Sequence, residues 1–163
     1  MIPRESIVTP RLTITDFVRD DITTEYLGWL NDAALMRFSS QRQITHTPLT
    51  AIAYVEGFEG SENRFVAIRL RSSREMVGTA TMYWRGATEG VDIGILIGVP
   101  GNGYGKEAFR ALTLALLDAG LPRVTAGTAV GNAAMIALAR AAGMREFVKT
   151  PPDGAHRYFE LTR

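Results

Sequence analysis

The chain has 163 residues, a natural length for one domain with a sizeable core. A formal charge of +1 gives no general electrostatic case for binding nucleic acid or a membrane surface. Zero cysteines exclude disulfides, thiolate metal sites and a cysteine nucleophile.

In chain order, Arg11-Leu12-Thr13-Ile14-Thr15 alternates apolar and polar residues and predicts an opening strand. Asp20 or Asp21 is placed to cap a helix carrying Tyr26, Leu27 and Leu30 on one face. Residues 33–46 have little periodicity. They end in Thr45-His46-Thr47-Pro48, a cap with proline in the first turn. That predicts a second helix bearing Ile52, Tyr54, Val55 and Phe58, stopped by Gly60-Ser61. Arg64–Leu70 and Met76–Trp84 read as strands of a hairpin joined by the polar link 71–75. A turn over Gly86–Gly90 leads into a further strand, Val91–Gly98. Beyond a glycine-dense turn, helix 104–118 buries Ala108, Phe109, Leu112 and Leu116. Arg123–Thr128 is a strand, 132–142 a helix, and the tail forms two strands around Pro151-Pro152-Asp153-Gly154. With no linker or repeat, this order predicts a single domain over 1–163. Its class is α/β (α+β), a mixed sheet of about seven strands flanked by helices.

The most informative stretch is Gly94-Ile95-Leu96-Ile97-Gly98-Val99-Pro100-Gly101-Asn102-Gly103-Tyr104-Gly105-Lys106. It joins an apolar strand to an amphipathic helix. Backbone N–H groups at a helix start lack partners, and the helix dipole adds partial positive charge there. Glycines let a phosphate approach those amides without Cβ clashes. The turn reads as an anion cradle, most simply for a pyrophosphate. A Walker A loop would need Gly at position 100 and Ser or Thr at 107, where Pro100 and Glu107 stand. A dinucleotide fingerprint would need a third glycine at Lys106.

Pro100-Gly101-Asn102-Gly103-Tyr104-Gly105 resembles motif A of the GNAT N-acetyltransferases, Gln/Arg-x-x-Gly-x-Gly/Ala, with Pro100 in place of Gln or Arg. The segment from Asn132-Ala133-Ala134-Met135-Ile136 to Gly143-Met144 is similar to that family's Asn-x-x-Ser/Met-Ile…Gly-Phe/Met motif. Asn132 and Gly143 also satisfy the capping rules for a helix between them. Thr9-Pro10-Arg11-Leu12 and Tyr26-Leu27-Gly28-Trp29-Leu30-Asn31-Asp32 look most like the RimJ/RimL-type branch. The resemblance covers nearly the whole chain. It implies a mostly antiparallel sheet, splayed between strands 91–98 and 123–128, with the pantetheine arm of acetyl-CoA in the gap.

The resemblance implies acetyl-CoA as cosubstrate, held by Gly101, Asn102, Gly103, Tyr104, Gly105 and Lys106, with Asn132 on the pantetheine. It also implies the amides of Leu96 and Ile97 as donors to the reacting carbonyl. Acetyl transfer to an amine needs a base, because an alkylammonium has a pKa near ~10. Asp92 matches the acidic position of the family's Ala-Glu-Ile-Gly strand and shares a strand face with Gly94. Glu89 is the runner-up. The tyrosine that the family often uses as acid is replaced by Ala139, leaving Tyr83, Tyr104 or water. The acceptor pocket is expected from the two N-terminal helices and the loop between them, with Trp29, Arg37, Arg42, His46, Tyr54 and Trp84 as its polar and aromatic candidates. Arg37, Arg42 and His46 together would suit an anionic acceptor such as a nucleotide-linked amino sugar.

The leading expectation is therefore direct acetyl transfer from acetyl-CoA to a primary amine of a small molecule such as an amino sugar or amino acid. A protein N-terminus as acceptor, a non-catalytic CoA-binding sensor and a plain nucleotide-binding module are the alternatives. His46 and His156 are the only histidines, so no metal is expected. Mean hydropathy is +0.02 and no apolar run approaches the ~18 residues of a membrane span. Met1–Glu5 lacks an apolar signal core. The expected location is cytoplasmic, with no nucleic-acid or membrane partner, and the resemblance leaves a homodimer open.

Overall fold

The apolar run Phe65-Val66-Ala67-Ile68 is buried residue after residue because its strand has a core on each side. In the computed structural model, which describes residues 1–163, that strand is β3 (Arg64–Leu70). Around it lie β1 (Ile7–Val8), β2 (Leu12–Asp16), β4 (Met76–Gly86), β5 (Gly90–Ile97), β6 (Arg123–Ala129), β7 (Arg145–Phe147) and β8 (His156–Thr162). They form one sheet of eight strands in the order β1-β2-β3-β4-β5-β6-β8-β7. Every neighbouring pair is antiparallel except β5 and β6. The sequence pattern missed only β1, whose two residues are too few to alternate visibly.

Five α-helices cover the sheet: α1 (Thr24–Leu30), α2 (Ala33–Met36), α3 (Pro48–Glu56), α4 (Tyr104–Asp118) and α5 (Ala133–Ala141). No helix is long and apolar enough to cross a membrane. Alternation sorts the strand residues between the two faces. Val66, Ile68, Ala80, Met82, Val91 and Ile93 turn to α4 and α5, meeting Ala108, Phe109, Leu112, Leu116 and Ile136 in the larger core. Full burial of a side chain such as Phe109 contributes roughly 2 kcal/mol. Phe65 and Ala67 turn the other way, into a smaller core with Phe17, Tyr26, Trp29 and Ala51.

The helix starts follow local chemistry. Thr23, rather than Asp20 or Asp21, caps α1, its hydroxyl accepting from the Tyr26 amide. Asp21 is instead buried against the Arg69 guanidinium at 2.6 Å. Asp32 caps α2, a helix absent from the sequence reading because it is a single turn. Thr47 and Thr50 form a reciprocal capping box with Pro48 in the first turn of α3. Asn132 caps α5.

Two glycines mark close approaches along β5. At its start, a Cβ on Gly90 would lie 1.9 Å from the Arg123 carbonyl oxygen of β6. Just past its end, a Cβ on Gly98 would lie 2.0 Å from Trp29 Cε2, so the indole of α1 rests on bare backbone. Gly98→Ala should therefore lower stability by about 2 kcal/mol through overpacking. Gly28→Ala, in α1 with open space around its Cβ position, should raise it by about 0.5–1 kcal/mol. Urea-unfolding midpoints check the pair; equal midpoints would contradict the Trp29–Gly98 contact.

Candidate active site

The site is built where β5 hands over to α4. Gly101 and Gly103 have φ of 90° and 75°, conformations that side-chain-bearing residues rarely adopt. Gly103 is the N-cap of α4 and offers no side chain to the first amides. No backbone or side-chain acceptor in the chain takes the N–H of Gly101, Asn102, Gly103, Tyr104, Gly105 or Lys106. Six unsupported amides and a helix dipole thus converge on one surface turn around a left-handed cap. Lys106 is exposed beside it and makes no ion pair. Gly105 packs inward, where a Cβ would sit 3.2 Å from Ile97 Cγ1.

A brace holds this turn from the far end of the sequence. Arg11 Nη1 donates to the Asn102 carbonyl at 2.8 Å, and its Nε to Glu107 Oε2 at 2.6 Å. The Arg11 amide and the Thr9 hydroxyl donate to Glu107 Oε1 at 2.9 and 2.6 Å. The guanidinium lies over the Tyr104 ring, 4.9 Å from its centroid. Burial pushes the Glu107 carboxyl up, but the hydrogen bonds from Thr9 and Arg11 outweigh it and hold it below its ordinary value.

Next to the turn the sheet opens. β5 and β6 pair only at Val91–Val124 and Asp92–Thr125, at the base of the wedge. The Gly98 amide donates to the Val77 carbonyl of β4 at 2.9 Å, which sets the phase of that antiparallel ladder. Leu96, paired with Thr79, consequently directs its N–H to β4, whereas Ile95 and Ile97 direct theirs into the opening. The expectation that Leu96 and Ile97 both present amides there is corrected: Leu96 presents only its side chain, on the face of Asp92. Asn132 stands at the far side of the opening. Its Oδ1 takes the Met135 amide, and its Nδ2 donates to Thr128 Oγ1 at 2.9 Å.

Asp92 is flanked on the α1–α3 face by residues from the two neighbouring strands, β4 and β6. Thr125 donates to its Oδ1 at 2.9 Å, and Arg85 Nη2 lies 3.6 Å from its Oδ2. Tyr83 is its cross-strand partner on β4. The Tyr83 hydroxyl is 3.4 Å from that of Tyr54, on α3. Burial, then the Tyr83 hydroxyl, pushes the Tyr54 phenol well above its ordinary range. Tyr54, Phe58, Phe65 and Tyr83 form a continuous aromatic floor. Tyr158 covers bare Gly127 on the same face and donates to Asp153 at 2.7 Å.

The other proposed residues are distributed differently. Trp84 shares the parity of Met82 and packs on the larger core, across the sheet from Asp92. Trp29 is buried under Gly98. Arg37, Arg42 and His46 each engage a partner in their own loop: the Phe38 ring, the Ser39 carbonyl and the Gln41 carbonyl. Glu89 is an exposed partner of Arg123 at 2.8 Å. Ala139 is fully buried in the larger core. Arg11, Glu107, Thr125 and Tyr158 escaped the sequence reading; the Thr9–Leu12 segment was noticed, but nothing local shows that it reaches residue 107.

Chemically, the arrangement offers amides for an anion, a slot between two strands, and a hydroxyl-supported carboxylate where the slot narrows. The family model described as acetyltransferase (GNAT) domain matches residues 11–145. An acetyltransferase of the GNAT family from Bacillus anthracis has 19% identity and TM-score 0.77, over 97% of this chain and 98% of its own. RimL, a ribosomal alpha-N-protein acetyltransferase in complex with coenzyme A, has 18% identity and TM-score 0.82, over 97% and 98%. An aminoglycoside acetyltransferase in complex with coenzyme A and kanamycin has 18% identity and TM-score 0.76, over 93% and 95%. Among curated proteins, none matches the chain by sequence.

The buried phenols give a pH test. Tyr26, by burial alone, and Tyr54 both stay protonated where a free phenol ionises. Tyr54→Phe should leave the phenolate absorbance developed up to about pH 11 unchanged, because Tyr54 contributes nothing to it. Both shifts are upward, so their contribution to stability is complete below an unfolded-state pKa of ~10 and is lost as pH rises beyond it. A smaller absorbance change in the variant would place Tyr54 in solvent.

Proposed function

The chain belongs to the GNAT acetyltransferases, and from that premise we propose that it transfers acetyl directly from acetyl-CoA to a primary amine of a small molecule. The observation that carries this reading is the opening between β5 and β6, with an uncapped glycine turn at one end and Asp92 at the other. The donor set fits acetyl-CoA. Amides of Gly101, Asn102, Gly103, Tyr104 and Gly105, with Lys106, suit a pyrophosphate, and the Ile97 amide and Asn132 border the slot suited to the pantetheine. Acetyl-CoA, when bound, supplies an activated acyl group on a thiol leaving group.

Asp92 is the base in this reading. Thr125 holds one carboxylate oxygen and leaves the other facing Arg85 across 3.6 Å, long enough for an amine to compete for it. The Ile97 N–H is the chain's donor for developing negative charge on the reacting carbonyl. Tyr83, opposite Asp92 and paired with the un-ionised Tyr54, is the hydroxyl that we assign to return a proton to the departing sulfur. A thiol of pKa about 8.5 places only a modest demand on that donor.

Amino sugars and amino acids remain the favoured acceptors, because an aromatic floor beside one accessible carboxylate suits a compact amine. Arg37, Arg42 and His46, which would favour an anionic, nucleotide-linked acceptor, are each engaged by a neighbour in their own loop. We place the chain in the RimJ/RimL-type branch, on the Thr9–Leu12 segment and its grip on the turn, with residues 1–163 acting as one acetyltransferase domain in the cytoplasm.

Thiol release from acetyl-CoA, scanned across amino sugars, amino acids, polyamines and N-terminal peptides, tests the reading. Acceptor-dependent release with a small amine is the expected result. Release with peptides alone would make the acceptor a protein N-terminus, and CoA binding without release would mark a sensor. Asp92→Asn should lower turnover by about 100-fold while leaving acetyl-CoA affinity unchanged. Unchanged turnover would remove Asp92 from the role.

A further inference from the structure

An anion cradle needs its amides pointed outward, and glycines alone do not arrange that. Gly101 and Gly103 make the turn permissive; something else must choose one conformation from the many available. The peptide between Asn102 and Gly103 is planar, so its carbonyl and its N–H point in opposite directions. Arg11 Nη1 takes that carbonyl at 2.8 Å, on the side of the turn facing β2. Fixing the carbonyl there turns the Gly103 N–H to the other side, away from the guanidinium.

Arg11 is itself over-determined. Its Nε and its own amide both bind Glu107, and the Thr9 hydroxyl binds the same carboxylate. The Leu12 amide donates to Thr9 Oγ1 at 3.0 Å, and Arg71 Nη1 holds the carbonyls of Thr9 and Pro10 at 3.1 and 3.3 Å. The guanidinium also covers the Tyr104 ring. The turn between β1 and β2, the phosphate turn and the first turn of α4 are therefore one hydrogen-bonded unit, although Arg11 and Glu107 are 96 residues apart.

We propose that Arg11, oriented by Glu107 and Thr9, is a positioning residue for the coenzyme. It selects the turn conformation in which the amides, not the carbonyls, face the pyrophosphate. This rests on the acetyl-CoA reading above. It differs from simple charge attraction in a measurable way. If Arg11 acted only as a nearby cation, Lys would replace it, and removing the Glu107 charge would tighten an anion. If Arg11 positions the turn, Lys lacks the fork that binds Glu107 and Asn102 together, and loss of the Glu107 charge frees the guanidinium.

Calorimetric titration of CoA into the whole chain, unsubstituted and as Arg11→Lys and Glu107→Gln, separates the two. Both variants should bind CoA about tenfold more weakly, with melting midpoints close to the parent. Nitrogen-15 relaxation of the same proteins without ligand should show larger-amplitude motion over residues 101–106 in both variants. Parent-like affinity of Arg11→Lys, or tighter binding by Glu107→Gln, overturns the proposal. If the unsubstituted protein binds no CoA, the acetyl-CoA reading fails by itself, and the relaxation data then decide the clamp: an unaltered turn overturns it. Should either variant fail to fold, Thr9→Val removes one donor to Glu107, and the same two readouts apply.

Discussion

The parallel contact between β5 and β6 is two rungs long, and the site depends on how it ends. Parallel strands in a continuous sheet normally keep pairing, because each unpaired buried amide carries a desolvation cost. Here Gly90 lets the start of β5 press to within a Cβ's clearance of the Arg123 carbonyl, so the strands meet closely at the base. Above Asp92 they part, and the amides of Ile95 and Ile97 are left facing a slot. An unpaired strand edge inside a sheet is a poor stabilising feature but a good receptor for an extended, amide-bearing ligand.

The two cores hold that wedge open from opposite sides. The larger one fixes α4 along the sheet through Ala108, Phe109, Leu112 and Leu116, so the helix start cannot drift from the end of β5. The smaller one presses Trp29 onto Gly98, immediately before the glycine turn. The same small core continues as the aromatic floor through Phe65, Phe58, Tyr54 and Tyr83 to the position opposite Asp92. Substitutions in the smaller core therefore act on two places, the geometry of the turn and the surface on which an acceptor would lie.

Much of this was legible in the sequence, for physical reasons that also explain the failures. Glycine density after an apolar strand marks a backbone-lined turn because few other residues adopt those angles. Two-residue alternation located the strands because each separates two environments, and Asn132 marked a cap because its side chain competes for the first amides. Which amide of β5 faces the slot was not legible: ladder phase depends on the register with β4, and the Gly98–Val77 bond is the first observation that sets it. Trp84 misled because aromatic character does not reveal a face; its parity with Met82 does, once Met82 is known to be in the larger core. The local partners of Arg37, Arg42 and His46 were not legible either, because an aperiodic loop carries no pattern that assigns its contacts.

Glu107 poses the sharpest local conflict and shows how the fold resolves it. A carboxylate in the first turn of a helix is favoured by the dipole, so a sequence rule welcomes it there. Beside a turn proposed to hold phosphates the same charge would be repulsive. Its two oxygens are consumed by the Thr9 hydroxyl, the Arg11 amide and the Arg11 guanidinium, which spread the charge away from the turn. The remaining arm of the guanidinium is then free for the Asn102 carbonyl, and its positive charge stays at the rim of the cradle. The acidic residue thereby becomes the anchor that orients the cation, which is why neither residue can be understood without the other.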